Sequence, residues 1–301
     1  MAGSSWNSHR RFVRHTGTLL ALGMLLLGGF RAEAATLLVA TSGTDSGNCQ
    51  SSACLTMTYA LTQAAAGDTI SLGAGTFVEN VVINKSVILA GAGQASTTIV
   101  PALAAPTCAV GDSGSLCLPG GSASNVLLVQ ANNVEIHDLT VDGDHPAGGS
   151  LEARNGIIVN YAAGVFNGLN VHDATVRNVY LRGIYASSGG TFTFTHDTVQ
   201  NVQADPMSIC MFNFGGSGVM SFNNVSGCGD GLSSNWSTGV QFRNNVISSS
   251  LSAVHTDNAQ GPTADVIDSN QASNLGANSY AFWVFAPHVA PTVSNNTVTG
   301  V

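Results

Sequence analysis

Ile136-His137-Asp138-Leu139-Thr140-Val141 returns as Val171-His172-Asp173-Ala174-Thr175-Val176, then as Phe194-Thr195-His196-Asp197-Thr198-Val199, then as Phe242-Arg243-Asn244-Asn245-Val246-Ile247. Each copy carries an apolar residue, a polar centre rich in Asn, His and Asp, and an apolar close. Weaker copies begin near Ser221, Val266 and Val293, and the start-to-start steps are 35, 23, 27, 21, 24 and 27 residues. Steps in this range mark supersecondary units that stack because no single unit can bury its apolar face alone. A second strand-like segment recurs within the repeats, at Gly156–Val159, Gly183–Ala186, Met207–Ile209, Gly231–Ser234 and Ala253–Thr256. The segments are short and divided by Gly, Asn and Ser turns. A leucine-rich solenoid has a similar period but needs a leucine ladder that these repeats lack. A sandwich explains the turns but not the recurring polar centre. Parallel strands stacked coil upon coil, ~4.8 Å apart, explain both, because equivalent residues then fall into ladders whose amides can hydrogen-bond along the axis.

Upstream, Thr36–Ala40 reads as a strand. Met57, Ala60, Leu61 and Ala64 follow at helical spacing, with Thr56 as N-cap and Gly67 as the stop. Asp68–Leu72, Phe77–Ile83 and Ser86–Ala90 return to strand character between glycines. Pro/Gly/Ser-rich excursions at 101–125 and 142–155 interrupt the pattern, and the second explains the step of 35. The expectation is an all-β solenoid of about six to seven coils with one short helix at its amino end. The sequence stops inside a repeat with no polar capping helix, so residues 35–301 are expected to be a β-helix domain truncated at its carboxyl end.

Residues 1–34 have the layout of a secretory signal: Arg10, Arg11 and Arg14, an apolar stretch from Thr18 to Phe30, and Ala32-Glu33-Ala34 as a cleavage site. A single amino-terminal membrane anchor is the other reading of this stretch. Without it the chain keeps five cations (Lys85, Arg154, Arg177, Arg182 and Arg243) against sixteen anions, a net charge of −11. That balance repels nucleic acid and anionic membranes. No later stretch is long and apolar enough to span a bilayer as a helix. Six cysteines in an exported chain point to disulfides. Spacing suggests Cys49–Cys54 and Cys108–Cys117, leaving Cys210 and Cys228 on adjacent repeats; no Cys/His spacing reads as a zinc site. A secreted, periplasmic or cell-surface location is expected.

The run Gly67-Asp68-Thr69-Ile70, Gly75-Thr76-Phe77-Val78-Glu79-Asn80, Ile83-Asn84-Lys85-Ser86-Val87-Ile88-Leu89-Ala90-Gly91-Ala92-Gly93 and Thr97-Thr98-Ile99 resembles the amino-terminal coils of right-handed parallel β-helix proteins of the pectin-lyase-like superfamily. The resemblance covers residues 36–301 and implies that fold, with the helix at 56–66 closing the first coil. It does not fix an activity, since lyases, esterases, epimerases and non-catalytic surface proteins share it. The run is similar to pectin methylesterases too, but their Asp-Phe-(Ile/Val)-Phe-Gly and Gly-Arg-Pro-Trp stretches are absent. The resemblance implies an exported protein acting on or binding extracellular polysaccharide or a cell-surface glycan. It leaves open a Ca²⁺-dependent, lyase-like enzyme or a non-catalytic adhesive β-helix.

Polysaccharide lyases of this fold hold Ca²⁺ with aspartates and abstract a proton with Arg or Lys. Just ahead of successive second strands stand Asn155, Arg182, Asp205 and Asp230. Stacked in register they would line one edge, with Arg182 as base beside Asp205, and Asp205 and Asp230 as Ca²⁺ ligands. They serve equally well as turn residues satisfying each other and the backbone. His255 and Asp257 alternate by two and form an outward acid–base pair if Val254 points inward; a one-residue slip would bury His255. Trp236 and Trp283 are candidates to stack on sugar rings, although alternation lets only half of Tyr280, Phe282, Trp283 and Phe285 face outward. His137, His172 and His196 are outer-face residues of the motif or, together, a transition-metal trio. Arg177 has Asp173 or Asp197 as an expected partner. Asp142, Asp144 and His145 either reach over a groove, where they could bind Ca²⁺, or form a turn.

Overall fold

The computed structural model describes residues 33–108, 114–117, 124–146, 152–187, 189–285 and 287–300; almost all of the signal-like segment lies outside them. The chain from Ala34 onward is wound into a right-handed parallel β-helix of three sheets. The first sheet has ten strands, from Thr36–Val39 to Thr292–Ser294. The second has nine, from Gly75–Val78 to Thr297–Thr299, and the third eight, from Val81–Ile83 to Tyr280–Val284. Eight to ten strands per sheet exceed the six to seven coils expected. The additional coils lie up to Val100 and lack the Asn-rich centre of the later repeats.

The opening motif forms one corner of the seven coils from Ile136 onward. Ile136, Val171, Phe194, Met220, Phe242, Ile267 and Val293 stack in register as the inward residue of the first sheet. Two of the three weak copies therefore begin at Met220 and Ile267, one residue away from the sequence reading, and the third begins at Val293 as read. Phe222 disguised the first of them, because it occupies the turn rather than the core. That turn residue is left-handed in each of these seven coils: Asp138, Asp173, His196, Phe222, Asn244, Ser269 and Asn295 have φ between +50° and +59°. Asn and Asp tolerate this region best, which explains the polar centre.

The next residue points inward and builds a ladder along the axis. The backbone N–H of Asn223 donates to Asn245 Oδ1 at 3.0 Å, Asn245 to Asn270 at 3.1 Å, and Asn270 to Asn296 at 2.8 Å. Each Nδ2 donates to a main-chain carbonyl: Asn223 to Phe194, Asn245 to Met220, Asn270 to Phe242, Asn296 to Ile267. These side chains thereby satisfy groups that the corner takes out of the sheet ladders, where an unpaired buried N–H would cost ~1–3 kcal/mol. Another corner needs glycine. A Cβ at Gly183 would lie 2.4 Å from Cys210 O and 2.4 Å from Val199 Cγ1, and Gly156 and Gly231 are similarly tight.

The helix spans Met57–Gln63 and buries Met57, Ala60 and Leu61. Thr56 Oγ1 accepts from Tyr59 N, and the Glu79 carboxylate accepts from Met57 N and Thr58 N. At the other end Lys85 Nζ donates to the carbonyls of Thr62 and Ala64. Acid at the amino end and cation at the carboxyl end both suit the helix dipole. All three disulfides form, Cys49–Cys54, Cys108–Cys117 and Cys210–Cys228. Among the described residues no helix is long and apolar enough to cross a membrane.

Candidate functional site: the outer face of the third sheet

The third sheet carries the longest strands, Arg182–Ser187, Ile209–Phe214, Asp230–Asn235 and Ser252–Asp257. Register stacks their outward residues into columns. One runs Asn155, Arg182, Ile209, Asp230, Ser252, Tyr280. The next runs Ile158, Tyr185, Phe212, Ser233, His255, Trp283. A third holds Ser187, Phe214, Asn235 and Asp257.

Asp205 is not in these columns. Met207 N and Ser208 N both bond Ala204 O, so a turn occupies 204–208 and the strand begins at Ile209. The sequence reading started that strand at Met207 and so placed Asp205 beside Arg182. Ile209 takes that place instead. Asp205 accepts a hydrogen bond from Ser250 and lines a separate cleft of about 430 Å³ with Asn201, Gln203, Ser248 and Asn274. Asp230 gives its oxygens to Ser252 and His255, so the proposed Ca²⁺ pair does not converge.

Arg182 is committed elsewhere. The excursion with the Cys108–Cys117 disulfide folds across this face, and its Leu116 packs with Ile158, Tyr185, Ile209 and Phe212. Arg182 donates to Ser115 Oγ at 3.2 Å and to the carbonyls of Leu181 and Met207 at 3.1 and 2.7 Å, and lies over the Phe212 ring. Burial pushes its pKa down to about 10, so it stays a cation at neutral pH, and Asp230 two rungs away partly offsets the burial. Burial pushes Tyr185, under the same cover, up to about 12. Arg154 also holds the excursion, through Ser115, Pro106 and Gly114 carbonyls.

Beyond the excursion His255 and Asp230 meet, with side chains 15 % and 11 % exposed. Val254 is in the core and His255 points outward. His255 Nδ1 lies 3.3 Å from Asp230 Oδ2, and the other oxygen of Asp230 accepts from Ser252 Oγ. The imidazole stacks on Trp283 with centroids 4.4 Å apart, and Trp283 stacks on Tyr280 at 5.2 Å. A carboxylate anchored on one side and facing Nδ1 on the other favours the tautomer with the proton on Nδ1, which leaves Nε2 able to take or give a proton. Asp257 accepts from Trp236 N and from Asn235 Nδ2, which fixes the left-handed turn at Trp236 rather than pairing it with His255. Burial raises the Asp257 pKa against the pull of those hydrogen bonds.

Other exposed aromatic rings lie on or beside the same strands. Trp236 is 50 % exposed, Tyr280 51 % and Phe285 58 %, and Phe214 shares a shallow apolar groove with Trp236. Phe282 turns into the core against Val254. Sequence reasoning missed Phe214, the Asp230–His255 contact and the cover over Arg182. The first two follow only from strand register, and the third joins segments about seventy residues apart. Of the remaining candidates, Arg177 pairs with Asp142 at 2.7 Å rather than with Asp173 or Asp197, because the two face each other across one rung. Asp144 N bonds Asp142 as a turn, and His145 Nε2 lies 3.2 Å from Ala102 O.

No protein-family model and no curated protein matches this sequence. Solved structures do. A pectin methylesterase from Aspergillus niger superposes with a TM-score of 0.56 at 11 % identity, covering 89 % of this chain and 89 % of that one. A pectin methylesterase from Erwinia chrysanthemi gives 0.52 at 14 %, covering 90 % and 91 %. A pectin methylesterase variant in complex with a hexasaccharide gives 0.55 at 14 %, covering 84 % and 82 %. The chain shares the right-handed parallel β-helix fold of these structures. At these identities the likeness is one of fold, and the chemistry rests on the residues of this chain.

Proposed function

We propose that this chain is an exported β-helix that binds an extracellular polysaccharide across the carboxyl-terminal half of the third sheet, with Asp230 and His255 as the acid–base centre of a glycan-cleaving reaction. The observation that carries it is the His255 imidazole, held by Asp230 on one edge and seated on Trp283 among exposed aromatic rings. Aromatic faces stack on sugar rings, and an imidazole fixed through Nδ1 can pass a proton through Nε2. The glycan-bound pectin methylesterase of the same fold and the three disulfides support an exported, polysaccharide-facing role. A lyase-like reaction here would draw its base from His255, since Arg182 is spent on the excursion. A polyuronate would need Ca²⁺ to offset the acidic surface. A neutral glycan would not.

The test is binding and product release from a panel of neutral glycans and polyuronates, each with Ca²⁺ and with chelator. Turnover that His255→Gln abolishes while binding survives supports the proposal. Binding that depends on Trp283 with no product under any condition favours the non-catalytic, adhesive β-helix. Neither binding nor product would remove the basis of both readings.

A further inference from the structure

On the first sheet, far in register from the dyad's columns, Glu135, His137 and His172 bring one ligand atom each within 4.8 Å of one another. We propose that these three residues form a site for a first-row divalent metal ion of the Zn²⁺ or Cu²⁺ type, with one position left for water or an external ligand. The site is independent of the proposed glycan reading.

The β-helix builds it by stacking. His137 and His172 occupy the same outward column on adjacent coils, with Glu135 two residues before His137 on the same face. Their rings are parallel, 4.8 Å apart with 6° between planes. His172 Nε2 already lies 3.1 Å from Glu135 Oε1. Metal–ligand bonds of ~2.0–2.1 Å put two ligands of a tetrahedral ion about 3.3 Å apart, so that pair needs almost no movement.

The decisive feature is what orients the rings. His137 Nδ1 lies 2.7 Å from Asp138 Oδ2 and His172 Nδ1 3.0 Å from Asp173 Oδ2. Each histidine therefore has a carboxylate on its Nδ1 edge and presents Nε2 toward the shared space. This is the arrangement by which outer carboxylates fix the tautomer of metal-binding histidines. The sequence repeat supplies it twice, because both copies read His-Asp with the Asp in the left-handed turn. The column neighbours are small: Ala90 precedes His137 and Thr195 follows His172. His196, which the sequence grouped with these two, stacks on Phe222 instead and is not part of the site. Two imidazoles and one carboxylate suit Zn²⁺ or Cu²⁺ better than Ca²⁺ or Mg²⁺, which prefer all-oxygen shells.

The experiment is calorimetric titration of the purified protein with Zn²⁺ alone in a non-coordinating buffer, repeated with His137→Gln, His172→Gln, Asp138→Asn and His196→Gln. All four side chains lie at or near the surface, and circular dichroism checks that each variant folds. The expected result is one saturable site per chain, weakened at least tenfold in His137→Gln and in His172→Gln. Asp138→Asn should weaken it by a smaller factor and His196→Gln should leave it unchanged. Cu²⁺ bound to the same site should show two nitrogen couplings in its paramagnetic resonance spectrum. The absence of a saturable site, or uptake unaffected by His137→Gln and His172→Gln, overturns the proposal.

Discussion

Asp197 occupies a ladder position that Asn holds in the four coils after it. Its N–H donates to Asn223 Oδ1 at 2.9 Å, and its own Oδ1 accepts from Ala174 N at 3.0 Å. Its other oxygen, Oδ2, is buried without a partner, in the place where the asparagines carry the NH₂ that bonds a main-chain carbonyl. Burial pushes the Asp197 pKa up to about 8, so the side chain is a neutral acid at pH 7. The unfolded chain ionises this group near pH 4, whereas the folded chain holds its proton to about pH 8. Folding stability should therefore fall as pH rises through that window, by ~1.4 kcal/mol for each unit of pKa separation. Asp197→Asn should match the parent near pH 4 and exceed it increasingly toward pH 8, as measured by denaturant unfolding across pH. A constant difference would contradict the assignment.

At the scale of the element, the corner ladder and the excursion make different demands. Asn245 Oδ1 accepts from Asn223 N, and its Nδ2 donates to Met220 O and Asn270 Oδ1. Asn245→Ala leaves a buried N–H and a carbonyl unpaired and should cost about 2–4 kcal/mol in urea unfolding. The corner was legible in the sequence because seven successive coils repeat it: an inward apolar residue, then a left-handed residue that is Asp or Asn in four of them, then an inward residue that is Asn in the last four. The excursion occurs once, and nothing in 101–125 says which face it covers. Arg182 shows the consequence, since its spacing suggested chemistry and its bonds to Ser115, Leu181 and Met207 show structure. Arg182→Ala should lower stability by ~1–3 kcal/mol and leave the pH dependence of any turnover unchanged, as measured by pH–rate profiles beside the unfolding curve.

Over the whole molecule, the period gave the architecture and the register gave the site. Period survives insertions and weak copies, so the solenoid is legible in the sequence, as are the helix from its own apolar spacing and two disulfides from the spacing of their cysteines. Register is more fragile. A four-residue error at Asp205 dissolved the expected carboxylate pair, whereas a correct inward Val254 preserved His255. The surface charge narrows the ligand. Without residues 1–34 the net charge is −11, and the carboxyl-terminal half of the third sheet carries Asp230 and Asp257. Neutral-glycan binding should be nearly independent of ionic strength, and polyuronate binding should require a divalent ion, both measurable by titration in varied salt. The most direct test of the account is the rate of product release from bound glycan by the parent and by His255→Gln. The account predicts that the variant binds glycan as tightly as the parent and releases no product. Turnover undiminished in His255→Gln would contradict it.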